Sequence, residues 1–448
     1  MDMRMKKMQK KVMPLSTSRD IGSSLTVTLT LKASLSHLPS FFHNFSDLFR
    51  QAPFSLLFCS FTGLLAGIGL SLMTGMLQLL PGLMILIPPA IAMRGNIYSA
   101  LVSRLGTSMH LGLFSPTLKK GSVLHQNAYA SVLLTLILSV ILGFLAKLVA
   151  DAFATPNIEY ISLGGFILIS VIGGLISGII LLGIAILVSI IGYRRNWDLD
   201  NMSSPIITSA GDMITIPSLF LAAIILLKSP MELVTILSIL FILAAVFCAV
   251  KGLKSNDAAV RRILMESIPM LFICGLLCTL AGIALDFARI TFDGVSLPLI
   301  TIPALLIIIP PFLGESNALG GILSARLSSM LHIGTVNPKP FPDKRVSANF
   351  AVIYLFSVFA FLFVGLLSYA ASILLGIPTP SIFKMVFISV LGGILCTTFL
   401  NLASYYIAIL SFRFGMDPDN DTIPLITSLT DVVGVLCLLF AIFIIQPF

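Results

Sequence analysis

About eleven stretches of this chain are each apolar over the ~20 residues needed to cross a bilayer. In hydrocarbon, every backbone N–H and C=O must be paired inside a helix or a closed barrel. The stretches are uninterrupted rather than alternating, so they predict helices and not barrel strands. They fall at 51–76, 79–112, 123–149, 160–192, 204–227, 232–250, 265–285, 297–333, 346–375, 381–412 and 421–446. With 57% hydrophobic and only 10% charged residues, and a mean hydropathy of +1.06, the chain is not an ordinary soluble domain. The expected fold class is an all-α polytopic membrane protein.

The formal net charge is +8, and its distribution points to topology rather than to nucleic-acid binding. With the amino terminus inside, the cytosolic connections carry Lys119, Lys120, Arg194, Arg195, Lys251, Lys254, Arg261, Arg262, Lys339, Lys344, Arg345 and Arg413. The opposite connections carry only Lys147, Lys228, Arg289 and Lys384. Positive residues accumulate on cytosolic loops, which predicts a cell-membrane protein with a cytosolic amino terminus and an outer carboxyl terminus. Residues 1–50 include Arg4, Lys6, Lys7, Lys10, Lys11, Arg19, Lys32 and Arg50 without a signal-peptide core. They read as a basic cytosolic arm suited to anionic lipid. Cys59, Cys248, Cys274, Cys278, Cys396 and Cys437 all lie in apolar segments without a zinc-type pattern. They read as small core residues.

The chain also repeats itself. IPPAIAMRGNIYSALVSRLGTSMHLG (87–112) matches IPPFLGESNALGGILSARLSSMLHIG (309–334), ISVIGG (169–174) matches ISVLGG (388–393), and DLDNMSSPIITSAGD (198–212) matches DPDNDTIPLITSLTD (417–431). Two five-span repeats, at 51–228 and 263–448, are joined by a segment at 229–262 that holds the extra span. An odd number of spans would invert directly joined halves, and the extra span restores their orientation. Two parallel halves around a pseudo-two-fold axis along the membrane normal follow, with the seam between them as the place for a pore.

The third match bears most on chemistry. Pro205 and Pro424 suit the first turn of a helix, and Asn201 and Asn420 suit its cap. Thr208 and Asp212 are four residues apart, as are Thr427 and Asp431, so each pair shares a helix face. From proline to aspartate the rise is about 10 Å, which puts both acids well inside the membrane on the cytosolic side. No Lys or Arg within the spanning part of either helix offsets them. A buried carboxylate in hydrocarbon costs several kcal/mol unless it finds a cation, a partner or a proton. Two such acids facing one axis call for a divalent cation. An oxygen-only ligand set of Asp, Asn, Thr and carbonyl groups favours a hard ion such as Mg²⁺. Mn²⁺ and Co²⁺ accept the same ligands. Asp198, Asp200, Asp417 and Asp419 would form an acidic mouth that gathers cations.

In the first match, Pro88–Pro89 and Pro310–Pro311 are expected to break their helices and free carbonyls toward the pore. Gly95, Asn96 and Asn317 follow and could turn backbone or amide oxygens to the ion. Arg94 and Glu315 occupy nearly equivalent places in opposite halves, which suggests an ion pair across the seam. Arg104 and Arg326 would snorkel to the cytosolic interface, and His110 and His332 would lie at the same boundary. The pairs Gly173–Gly174 and Gly392–Gly393 permit close helix contact.

On these motifs, residues 50–448 resemble the membrane domain of MgtE-type magnesium transporters, and the duplicated arrangement is similar to related eukaryotic solute carriers. The resemblance implies two parallel five-helix units around a Mg²⁺ pore. It also implies that Asp212 and Asp431 hold the ion while it loses water. A single duplicated chain would then supply what two subunits supply elsewhere. Bacterial members carry large cytosolic sensing domains, and a basic arm of fifty residues stands in their place here. GESNALGG departs from MRGNIYSA, which is at odds with strict pore symmetry. Three alternatives remain: exchange driven by Na⁺ or H⁺, a membrane prenyl- or alcohol-phosphotransferase using its Asp-rich motifs, and a structural or scaffolding membrane protein. Few basic residues stand ready for a diphosphate, which counts against the enzyme.

Overall fold

The computed structural model describes residues 46–153, 158–195, 199–292, 295–332, 334–336, 338, 340–413 and 423–445. Among the described residues, eleven helices are long and apolar enough to cross a membrane. They are α1 (Ser46–Leu72), α3 (Leu83–His110), α4 (Val123–Ala152), α5 (Leu163–Arg195), α6 (Leu199–Lys228), α7 (Met231–Leu253), α8 (Ala258–Phe287), α9 (Pro303–His332), α10 (Lys344–Leu374), α11 (Ile382–Arg413) and α12 (Ile423–Ile445). A short helix, α2 (Thr74–Leu79), follows α1. The protein is an all-α polytopic membrane protein.

Helix ends extend beyond the apolar runs where polar caps hold them. Asp257 accepts a hydrogen bond from the Ala259 amide and starts α8. Arg261 and Arg262, expected in a loop, therefore lie in its first turns, and Arg262 pairs with Glu266 at 2.7 Å. Asp343 accepts from the amides of Arg345 and Val346 and starts α10. Such capping satisfies amides that have no partner within the helix. Among the described residues, one pair of strands interrupts the helices. Strands β1 (Arg289–Phe292) and β2 (Val295–Pro298) form a small antiparallel hairpin, pairing Ile290 with Leu297. Its signal is present in the sequence as alternating residues around Asp293–Gly294.

Two helix boundaries differ from the sequence reading. α6 begins at Leu199, so Asn201 lies inside its first turn rather than capping it, and Pro205 comes later than the first turn. Pro424 does occupy the first turn of α12. The proline pairs also leave their helices continuous, since Pro88–Pro89 lie within α3 and Pro310–Pro311 within α9. Proline removes only the N–H of its own residue, and the carbonyls four residues earlier lose a partner. Two of those carbonyls meet glycine. A Cβ placed on Gly282 would stand 2.4 Å from Ile85 O, and one on Gly67 would stand 2.1 Å from Ile307 O. The freed oxygens at these two sites face a neighbouring helix backbone, not a pore.

The same packing recurs in both parts of the chain. A Cβ on Gly143 would meet Ile167 Cα at 2.8 Å, and one on Gly365 would meet Val386 Cα at 2.7 Å. Gly173 lies on Leu219, and Gly392 lies on Leu438. Arg104 Nε donates to Asn127 Oδ1 at 2.8 Å, and Arg326 Nε donates to Asn349 Oδ1 at 2.7 Å. These two arginines are braced against α4 and α10 through Nε and do not simply reach for the interface. His110 is exposed at the end of α3, and the His332 side chain lies outside the described residues.

The first helix of each half crosses the seam. α8 packs on α3 and α4 as well as on α12. α1 meets α6 through Cys59 and Ser209, whose side chains lie 3.4 Å apart. It meets α9 through Gly63 and Gly67, which approach Pro311 and Ile307. The two halves are thus interleaved by reciprocal helices. α7, the extra span, rests on α4 and α5 and leaves Leu240, Leu243 and Phe247 exposed, as a lipid-facing surface does.

Candidate ion site

The cavity that matters lies where α3, α6, α9 and α12 meet. It offers about 100 Å³ to the centres of water molecules, which is room for several waters. Helical spacing determines what reaches it. Asn96 and Ser99 come from α3, Thr208 and Asp212 from α6, Gly314 and Asn317 from α9, and Thr427 and Asp431 from α12. Pro88, Pro310 and Pro424 also line it, with an apolar border that includes Leu70, Met84, Leu285 and Ile309. All six candidate ligands outside the Asp-rich turns therefore share one cavity: Asn96, Asn317, Thr208, Thr427, Asp212 and Asp431.

The two acids are held differently. Asp431 is only 6% exposed. Asn317 Nδ2 donates to its Oδ1 at 2.8 Å, and Cys278 Sγ approaches its Oδ2 at 3.4 Å. Asp212 is less enclosed and accepts no hydrogen bond among the described residues. The backbone of the opposite half borders it, since a Cβ on Gly314 would stand 3.8 Å from Asp212 Oδ2. Each carboxylate lies within electrostatic reach of the other.

Several acceptors and donors around the cavity remain open. Asn317 Oδ1 and Asn96 Nδ2 are buried without a hydrogen-bond partner among the described residues. Thr427 Oγ1 donates to Pro424 O at 3.0 Å, leaving its lone pairs directed elsewhere. Gly95, expected to turn an oxygen to the ion, instead lets α3 pack tightly on α6. A Cβ on Gly95 would lie 3.1 Å from Thr208 Cγ2, and one on Gly211 would lie 3.4 Å from Gly95 N.

The expected Arg94–Glu315 ion pair does not form. Arg94 is 0% exposed and turns into the first half, where its Nη2 donates to Ser139 Oγ at 2.7 Å beneath Gly174. Glu315 is also 0% exposed and accepts a hydrogen bond from Ser60 of α1. The two residues lie on helix faces that point away from the cavity. Sequence reasoning also missed the part played by cysteine. Cys278 touches Asp431, and Cys274 Sγ lies 3.5 Å from Pro424 O. The i,i+4 spacing of this pair was the available signal. Asp198, Asp417, Asp419 and Asn420 lie outside the described residues, as do the side chains of Asp200 and Asn201. Among the described residues, no group of three or more His, Cys, Asp or Glu is gathered for a metal.

Comparison with known proteins places these features in a family. The chain is 25% identical to solute carrier family 41 member 3 of Mus musculus over 412 residues, covering 85% of this chain and 80% of that protein. It is 24% identical to solute carrier family 41 member 2 of Homo sapiens over 377 residues, covering 78% of this chain and 62% of that protein. The chain thus spans less than two thirds of the member 2 relative. Among solved structures, a MATE protein in complex with Br-NRF aligns over 86% of this chain and 95% of its own, at 12% identity and a TM-score of 0.30. That score is too low to indicate a shared fold. The pattern of the MgtE family, described as divalent cation transporters, matches residues 87–222 and again residues 309–441. The two matches together take in more than half of the residues, and so the chain belongs to the MgtE family and is a multi-pass membrane transporter of divalent cations.

Proposed function

We propose that the transported ion is Mg²⁺ and that it passes between the two halves, held by Asp212 and Asp431. The observation that carries this reading is the meeting of one acid from each half, on α6 and α12, in one cavity with the open oxygen of Asn317. Two carboxylates in a low-dielectric setting repel each other, and a divalent cation between them removes that cost. Mg²⁺ suits the donors because it prefers oxygen and keeps several waters, needing only one or two carboxylates from the protein. Thr208, Thr427 and Asn96 would meet the outer waters. Asp198, Asp200, Asp417 and Asp419 would gather cations at the cytosolic mouth, beside Asn201 and Asn420.

On this reading residues 51–228 and 263–448 are the duplicated units and 229–262 is the joining segment. The basic arm at 1–50 lies in the cytosol and the carboxyl terminus lies outside. One chain forms the pore in the cell membrane. Mn²⁺ and Co²⁺ are competing substrates because they accept the same ligands.

The test is divalent flux in sealed liposomes. Asp431→Ala should abolish Mg²⁺ entry while the purified protein keeps its helical content and elution volume. Flux at the native rate would remove Asp431 from the pathway. The same vesicles, with and without Na⁺ and pH gradients, separate passive permeation from Na⁺- or H⁺-coupled exchange.

A further inference from the structure

We infer that Ser60 and Glu315 form a positioning lock that sets the height of α9, and so of Gly314 and Asn317, against the two cavity acids. The inference rests on the ion-site reading above and extends it to residues that do not touch the cavity.

α9 has two working faces. Pro310, Leu313, Gly314 and Asn317 line the cavity. At 3.6 residues per turn, Glu315 falls on the opposite side of the helix. There Ile307, Pro311 and Glu315 recur every fourth residue and meet Gly67, Gly63 and Ser60 of α1. The two glycine contacts are backbone against backbone. A Cβ on Gly67 would stand 2.1 Å from Ile307 O, and one on Gly63 would stand 2.6 Å from Pro311 Cα. Such packing is close but largely non-directional, so it opposes separation more than sliding. The hydrogen bond from Ser60 Oγ to Glu315 Oε1 is directional. Ser60 is 1% exposed, so water does not compete for it.

The first half supplies an internal control. By the 222-residue offset, Glu315 corresponds to Met93 and Asn317 to Gly95. α8 meets α3 there through Gly282, near Ile85, and Gly275, whose Cβ would lie 3.0 Å from Met93 Cε. The pair that stands in place of Ser60 and Glu315 there, Gly275 and Met93, is apolar. The serine–carboxylate pair therefore occurs on α9, the helix that also reaches an acid by an amide. A hydrogen bond of 2.8 Å from Asn317 to Asp431 tolerates little axial movement before it weakens. Glu315 is thus a positioning residue, acting on the ion through Asn317 and Gly314.

The experiment measures Mg²⁺ transport against concentration in proteoliposomes, with melting temperature recorded for each variant. Glu315→Met should raise the half-saturating concentration about tenfold with a smaller change in maximal flux. Glu315→Gln keeps an acceptor for Ser60 and should stay within about twofold of native. Ser60→Gly combined with Glu315→Met copies the first half's pair. It should recover melting temperature while the half-saturating concentration stays high, a separation that a purely structural role does not give. Should Glu315→Met fail to fold, Ser60→Ala removes only the hydroxyl and should show the same rise. Native half-saturation in the double variant would overturn the lock, and so would Glu315→Gln as impaired as Glu315→Met. Asp431→Ala in the same vesicles keeps the two ideas apart. If it abolishes flux while the lock variants behave as native, only the lock fails. If it leaves flux intact, the site reading fails and the lock with it.

Discussion

Beneath Gly174 in the first half lies the guanidinium of Arg94; beneath Gly393, its counterpart in the second half, lies the ring of Phe361. Similar exchanges recur along the same helices. In the first half the Tyr98 hydroxyl lies 2.9 Å from Thr135 Oγ1, over Gly178. In the second half Tyr98 becomes Gly320, Gly178 becomes Thr397, and Thr397 Oγ1 donates to Ser357 Oγ at 2.8 Å. The bulk moves from one helix to its neighbour. Close glycine contacts at Gly143 and Gly365 are common to both halves. The halves share a frame but differ in where they place charge. The first buries a cation away from the cavity and leaves Asp212 without a hydrogen bond among the described residues. The second buries Glu315 at α1 and holds Asp431 between Asn317 and Cys278. Duplication within one chain permits this, because each copy is free to change without altering the other.

The largest effects should come from the acids. Asp431→Ala and Asp212→Ala should each reduce Mg²⁺ flux by about a hundredfold or more, since either leaves one carboxylate to hold a divalent ion alone. Loss in Asp431→Ala with retention in Asp212→Ala would mean that the halves share a frame but not a role. Asn317→Ala should raise the half-saturating concentration about tenfold, through loss of an oxygen ligand and of the bond that orients Asp431. Asn96→Ala, with no bond to either acid, should change it about twofold. Equal effects would show that the amides act alike, and would break the comparison.

Smaller effects concern the frame. Gly393→Ala drives a methyl group into the Phe361 ring and should cost about 1–3 kcal/mol, partly recovered by Phe361→Leu. Arg94 keeps Nε and Nη1 without partners among the described residues. Replacing a poorly compensated buried charge with an apolar side chain of similar length is often neutral or stabilising. Arg94→Met should therefore leave the melting temperature unchanged or raise it. A marked fall would assign the guanidinium a partner beyond Ser139. The smallest change is expected for Arg104→Lys and Arg326→Lys, about 1 kcal/mol each, and equal in the two halves because the asparagine brace is the same.

Much of the cavity lining was legible because its parts are local. Thr208 and Asp212, or Thr427 and Asp431, are four residues apart on one helix, and any helix there presents them together. Their recurrence at a constant offset pointed to one place of meeting. Arg94 and Glu315 were misplaced for the complementary reason. Equivalent positions in two repeats suggested proximity, yet each lies on the helix face opposite the cavity, a matter of rotation about the helix axis rather than of spacing. The proline pairs misled through a strong local rule. Proline deletes one N–H, but packing by glycine-bearing helices holds α3 and α9 continuous around it. Cys278 was read only as bulk, because nothing within α8 indicates that Asp431 of α12 comes to rest beside it.

Taken alone, the sequence determined the fold class and the number of spans, since apolar length and periodicity act over neighbouring residues and need no partner. Only the tertiary structure decided that α1 and α8 cross the seam, that Asp431 is braced by Asn317 and Cys278, and that Arg94 and Glu315 turn away from each other. Those outcomes depend on contacts between residues as far apart as Ser60 and Glu315, whose energies arise only when distant helices are brought together.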